Sequence, residues 1–342
     1  MNASSPVERS DTERLPARQI HTEHKTNTFK WLLKREFWEN RGGFLWAQVI
    51  TGAIISVLYL ILAVIGSIAG RRAAGDSFEI NDHGNMAATL GAFGDGVLLA
   101  GVLLAFIVMA FVVFFYALGS LYDDRRDRSI LFWKSLPVSD TQMVLSKAVW
   151  ALLLAPIIAV AVGILIGLAL WLISALTLTV NGVAAGTAVF THSHPLKIIG
   201  GVLASLPVYI MWALPAVGWL MLCSAWARSK PFLWAVLLPV LACVIVSMIR
   251  ILPGTSFPVD KVWYTLVYRG LLSVVPGAWY PAIGLDPTGG QEINSPDQLA
   301  SAIDLTTSWQ AFATADMWIG VVLGVVFIAM AIYLRRWREL AD

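Results

Sequence analysis

Charge is scarce in this chain. Asp, Glu, Lys and Arg make up 13% of its 342 residues, against roughly 25% in an ordinary soluble domain. Apolar residues reach 58%, with 15 Trp and 15 Phe among the aromatics. So little polar surface cannot cover so large an apolar content in water, which makes lipid the main solvent. A soluble enzyme, a nucleic-acid binder and a disordered chain are thereby excluded. The formal net charge is only +2, so the placement of charges says more than their sum. Cysteine is nearly absent. Cys223 and Cys243 both sit in apolar runs and read as small buried hydrophobes, and two such residues build neither a disulfide framework nor a thiolate metal site.

Several motifs are missing as well. No GxxxxGK(S/T) occurs, so a P-loop for ATP is not part of this chain. There is no HExxH, and the five histidines are scattered; His192 and His194 form the one close pair, just ahead of Pro195 in a segment between apolar runs. No GxSxG or comparable nucleophile setting appears. The expectation is a chain with no catalytic residues, no metal site and no cofactor of its own. The first 28 residues are polar and lack an apolar h-region, so a cleaved signal peptide is not expected, and residues 1–28 read as a disordered tail.

What the chain does have is length in its apolar runs. Six are long enough to cross a bilayer core of ~30 Å as helices: about 44–69, 96–122, 143–176, 198–226, 232–252 and 316–334. In lipid the backbone must satisfy its own hydrogen bonds, so runs of this kind are helical. The third run exceeds what the bilayer needs; Met143 to Lys147 reads as a stem in water, and Pro156 as a kink. Ser139 with Gln142 three residues on is a capping box opening this helix, and Ser229 ahead of Pro231 marks the start of the fifth.

Six crossings put both termini on one side. That side then carries 18 Lys and Arg, against six on the other, which places the termini in the cytoplasm. Residues 262–284 are apolar enough for a seventh crossing, but Arg269, Pro276 and Pro281 oppose it, and a seventh span would strand Arg335, Arg336 and Arg338 outside. The stretch reads as re-entrant or as lying in the outer interface, with Trp263, Tyr264, Tyr268, Trp279 and Tyr280 forming an aromatic belt. Ionisable residues are nearly missing from the spans: Lys147, Arg250 and Asp316 fall near their ends. This weighs against an ion-coupled carrier. Gly163 with Gly167, and Gly320 with Gly324, permit close helix approach, within the bundle or between two copies.

Two stretches stand out at the cytoplasmic face. Over 29–41, Phe29, Leu32, Leu33 and Phe37 share one helical stripe, interrupted by Glu36, while Lys30, Lys34, Arg35 and Arg41 supply positive charge. This is either an amphipathic helix on the leaflet or a plain juxtamembrane anchor. Between spans two and three, six consecutive charges (Asp123, Asp124, Arg125, Arg126, Asp127, Arg128) precede Ile130, Leu131, Phe132 and Trp133. A short helix with charged and apolar parts fits a groove on a cytoplasmic partner; a positive-inside loop with an interfacial Trp fits the same residues.

The stretch YDDRRDRSILFWKSLPVSD followed by TQMVLSK resembles the second cytoplasmic loop of ABC-2 type transporter permeases. WYTLVYRGLLSVVPGAWYPAIG is similar to that family's outer segment, and the likeness in outline covers most of residues 29–338. The resemblance implies an all-α integral membrane protein with six transmembrane helices in a type V exporter-like bundle. It implies an elbow helix at 29–43, a transmembrane domain over 44–336 and a coupling helix at about 123–136. On that loop Asp123, Asp124, Arg125, Arg126, Asp127, Arg128, Ile130, Leu131, Phe132, Trp133, Lys134 and Leu136 would meet a separate ATP-binding subunit, with the apolar four as anchors and Arg125, Arg126, Arg128 and Lys134 as polar contacts. Two such subunits, holding ATP and Mg, would drive two permease copies in the bacterial inner membrane, and the cargo expected is hydrophobic or amphipathic. An ion-coupled secondary carrier and a non-transporting membrane sensor or anchor are the alternatives.

Overall fold

A computed structural model of the chain describes residues 27–74, 83–127, 138–180, 186–249, 258–284 and 307–338. The tail before residue 27 and most of the insertion near 286–312 lie outside the described residues. Within them every regular element is helical and no strand occurs. The helices are α1 (Thr28–Arg41), α2 (Ala47–Ala74), α3 (His83–Arg126), α4 (Asp140–Val149), α5 (Ala155–Val180), α6 (Ala188–His192), α7 (Pro195–Trp226), α8 (Leu238–Ile249), α9 (Val259–Trp263) and α10 (Ala315–Arg338).

Five helical stretches are long and apolar enough to cross a membrane: Thr28–Ala69, Ala87–Arg126, Asp140–Val180, Pro195–Trp226 and Ala315–Trp337. The run expected over 232–252 forms a shorter apolar helix, Leu233–Ile249, roughly 26 Å at ~1.5 Å per residue. Apolar side chains such as Ile54, Ile65, Phe111, Leu165 and Val322 remain exposed on the flanks, as lipid-facing positions do.

Three one-turn π-helical segments shape the long helices. Gly42–Trp46 joins α1 to α2 without a break, so the two are one helical stretch. Trp150–Leu154 joins α4 to α5, and Leu233–Leu237 leads into α8. The last two stand two residues before Pro156 and Pro239. A proline lacks an N–H and crowds the carbonyl four residues back, and widening that turn removes the clash. Near Pro239 the spared carbonyl is that of Ala235, and the Trp219 indole donates to it at 3.0 Å.

Ser139 caps α4 with the expected box: its hydroxyl accepts from the Gln142 amide at 3.2 Å, and the Gln142 side chain accepts from the Ser139 amide. Before Pro231 the turn is made by Lys230, whose φ of 46° is left-handed and whose carbonyl accepts from the Leu233 amide. Met143, Val144 and Lys147, expected in a stem in water, are buried in the bundle, because α1 and α10 pack around the start of α4.

Small residues bring the helices together. A Cβ on Gly101 of α3 would stand 2.5 Å from the Gly167 Cα on α5, and one on Gly163 would press on Val102 and Ala105 at 3.1 Å. A Cβ on Gly218 of α7 would meet the Gly324 carbonyl of α10 at 2.7 Å. Both small-residue pairs noted in the sequence thus work inside the bundle. Cys223 and Cys243 are buried free thiols.

The stretch after α8 is not a continuous helix. α9 runs into a π segment (Tyr264–Arg269), then short 3-10 turns at Leu272–Val274 and Tyr280–Ile283. Gly277 and Gly284 take positive φ there, and the two prolines prevent regular pairing. This segment returns against α8, where the Trp263 indole donates to the Ser247 hydroxyl at 2.8 Å, and packs on α7, where the Tyr209 hydroxyl donates to the Val274 carbonyl at 2.9 Å. The expected aromatic belt is only partly on display. Trp263 is exposed, whereas Trp279 and Tyr280 are buried, because the segment turns inward to fill the core beside α7.

The glycine contacts make a direct prediction. Gly167→Val forces a branched side chain into the α3 backbone, and overpacking of this kind costs about 1–3 kcal/mol or more. A fall in detergent melting temperature is expected, while Gly66→Ala, where a Cβ meets nothing within 4 Å, leaves it unchanged. Equal melting curves for the two variants would refute the packing.

Candidate functional site

At one end of the bundle a buried ion network joins four helices. Lys147 of α4 points its ammonium between Glu36 of α1, 3.1 Å away, and Asp124 of α3, 3.5 Å away. Asp124 also meets Arg335 of α10 at 3.3 Å, and Arg335 reaches Asp140 at 3.4 Å. Glu36, Asp124, Lys147 and Arg335 are all buried. The Tyr116 hydroxyl donates to the second Glu36 oxygen at 2.8 Å. Glu36 is the residue that interrupts the apolar stripe of α1. It does so because that stripe packs on the bundle rather than facing away, and the carboxylate is needed where Lys147 and Tyr116 arrive.

Aromatic rings hold α1 in register for these contacts. The Trp150 ring stacks on Phe37 at 5.7 Å and on Phe44 at 5.3 Å, and its indole N–H donates to the Leu33 carbonyl at 2.6 Å. Leu32 is buried and Leu33 and Phe37 are partly so, whereas Trp31 and Trp38 stay exposed with Lys34 and Arg41 over their rings.

The charged run expected to open a coupling helix is here the last turn of α3, which continues to Arg126. Asp124 is spent on the network. Arg125 donates to the Ser224 and Ala227 carbonyls at 2.5 and 3.0 Å, a cation placed on the orphan carbonyls that end α7. The Ser224 hydroxyl in turn accepts from the Leu121 and Tyr122 amides. Asp123, Arg126 and Asp127 are exposed. Arg128, Ile130, Leu131, Phe132, Trp133, Lys134 and Leu136 lie outside the described residues. The two described ends that flank this loop, at Asp127 and Val138, are both close to the same network, through Asp124 on one side and Asp140 and Lys147 on the other.

A second polar cluster sits toward the opposite end. Arg269 is buried, its guanidinium 3.7 Å from the Trp212 ring centroid, and it donates to the Trp212 carbonyl at 2.6 Å and the Asp316 carbonyl at 3.3 Å. The Tyr264 hydroxyl donates to the Asp316 carboxylate at 2.8 Å. Burial lowers the Arg269 pKa to about 10, with Tyr264 and Asp316 opposing the fall, so the group is charged at neutral pH. Arg269 thus fastens the segment after α8 to both α7 and α10. Farther along, Asp95 of α3 accepts from the His194 amide at 2.7 Å and lies 3.6 Å from its Nδ1, placing a carboxylate at the N-terminus of α7. His192 pairs with Thr191 instead, and among the described residues no three potential ligands converge on a metal site.

Family models, curated proteins and solved structures were compared with the chain, and none matches.

The network predicts a large penalty for Lys147→Met, which leaves two buried carboxylates facing each other across a lost cation. Removing one partner of a buried pair costs roughly 3–5 kcal/mol. Adding Glu36→Gln should restore part of it, because the orphaned charge goes too. Denaturant unfolding in detergent measures both; a single variant within about 1 kcal/mol of wild type would show the network to be dispensable.

Proposed function

We propose that the chain is the membrane-spanning subunit of an ATP-driven ABC-2 type transporter, exporting a hydrophobic or amphipathic cargo. The reading rests on one observation, the loop YDDRRDRSILFWKSLPVSD with its order of mixed charge, apolar cluster and capped helix start. In this reading Ile130, Leu131, Phe132 and Trp133 dock into a separate ATP-binding subunit. Arg126, Arg128 and Lys134 make polar contacts at the rim, and ATP and Mg reside on that partner. Two ATP-binding subunits serve two permease copies in the inner membrane.

The architecture supports this in a specific way. A push on the loop acts on α3 through Asp124 and on α4 through Asp140 and Lys147. Through Glu36 and Arg335 it also acts on α1 and α10. Packed, ion-paired elements of this kind move as units instead of absorbing the displacement. Six crossings with cytoplasmic termini are part of the proposal. In their favour, α1 and the C-terminal part of α10 meet at the same end of the bundle, and Leu233–Ile249 carries the chain away from the Arg125 contact on α7 toward the outer segment.

The decisive experiment is a pull-down of the full chain in mild detergent. A P-loop ATPase should be recovered with wild type, and replacing Leu131, Phe132 and Trp133 together with Asp should abolish the association and transport. Transport by the purified chain alone under an ion gradient would favour the secondary-carrier alternative and remove the coupling role of the loop.

A further inference from the structure

Beside the ion network, two adjoining hollows form one groove between α1 and α3. The first, of about 470 Å³, is polar and is lined by Arg35, Glu39, Asp123 and Asp127 among others. The second, of about 440 Å³, is mainly apolar and runs over Gly42, Gly43, Phe111 and Phe115. Glu39, Asn40, Phe115 and Tyr116 line both, so the two are continuous. Each volume falls within the roughly 300–1,000 Å³ of small-molecule sites. From Asp123 to Phe111 the α3 axis covers about 18 Å at ~1.5 Å per residue, which suits a headgroup at one end and an acyl chain along the other. Phe111 and Phe115 are 64% and 58% exposed, so the trough opens on the lipid-facing flank.

Charge decides which headgroup. Among the described residues the polar hollow is lined by four acids (Glu39, Asp123, Asp124, Asp127) and two bases (Arg35, Lys147). Glu39 is held by Arg35 at 2.6 Å, and Asp124 by Lys147 and Arg335. Lys147 is already bound to Glu36. The acids left over are Asp123 and Asp127, one turn apart on the same face and joined by a backbone hydrogen bond. Arg126 and, more weakly, Lys147 are the basic groups that act on Asp123. Two like charges at this spacing repel, and a cation seated between them relieves the repulsion. An anionic headgroup would meet the acidic excess instead. A compact ammonium with three N–H donors can bond both carboxylates, while a trimethylated one has no donor to offer.

We propose that this groove binds a membrane phospholipid with a primary-amine zwitterionic headgroup, its ammonium between Asp123 and Asp127 and one acyl chain along Phe115 and Phe111. The site requires only that the chain sits in a bilayer, so it stands apart from the transporter reading. Native mass spectrometry of the delipidated full chain in detergent tests it. Wild type is titrated with dioleoyl phosphatidylethanolamine, phosphatidylcholine or phosphatidylglycerol. The ethanolamine lipid should be retained about fivefold better than either of the others, a difference of about 1 kcal/mol. Asp123→Asn with Asp127→Asn, both on exposed residues, should erase that preference. Gly42→Leu should lower retention of all three lipids, since a side chain there enters the trough and a Cβ meets nothing within 4 Å. Phe111→Ala with Phe115→Ala should do the same, which covers the case where the Gly42 variant fails to fold. Equal retention of the three lipids by wild type would overturn the proposal. So would an unchanged preference in the double Asn variant, or full competition by free phosphoethanolamine at the same concentration as the lipid.

Discussion

A lysine ammonium taken out of water must find counter-charge, and Lys147 finds it on two different helices at once, at Glu36 and Asp124. Such a group cannot stay buried unless both helices stay where they are. Arg335 repeats the arrangement between Asp124 and Asp140. The result is a frame in which α1, α3, α4 and α10 fix one another's positions near the roots of the loop. Net stabilisation from buried ion pairs is small after desolvation, so their contribution is better read as specifying one packing of the helix ends than as strength. Strength comes from the apolar bundle and from the small residues that let α3 meet α5 and α7 meet α10.

The opposite end is organised by different chemistry. Arg269 has backbone carbonyls and an indole face for partners, with its compensating charge on Asp316 held by Tyr264. Backbone carbonyls at 2.6 and 3.3 Å can replace water around a guanidinium because its five donors are spread in a planar fork. This lets a broken, proline-containing stretch pack as core beside α7. The two ends therefore differ in kind: an ionic frame that joins four helices at one, and a single anchored segment at the other.

Much of the fold is legible in the sequence. Apolar runs and caps located the long helices, and Ser139 with Gln142 marked the start of α4 to the residue. Gly163 and Gly324 announced close packing without saying against what. The reading was weakest where a side chain's role depends on a distant partner. Glu36 looked like a flaw in a stripe, and Met143 to Lys147 looked like a stem in water, because nothing local says that α1 and α10 enclose them. Asp124 and Arg125 stand in one charged run with Asp123 and Arg126, and nothing in that run tells that Asp124 meets an arginine 211 residues away or that Arg125 ends α7. Asp95 carries no sequence signal of its role, since a lone acid in an apolar run gives no hint of a helix N-terminus across the bundle.

Composition and run length alone determined that this is a helical chain for lipid surroundings, because backbone satisfaction in hydrocarbon leaves few other solutions. They also located the loop whose residue order carries the transporter reading. Tertiary structure decided which charges are interior and which remain for ligands or partners. That choice turns on distances between helices, and hydropathy along a chain is blind to distance. A residue such as Glu36 is costly or useful according to what stands opposite it, and only packing brings Lys147 there.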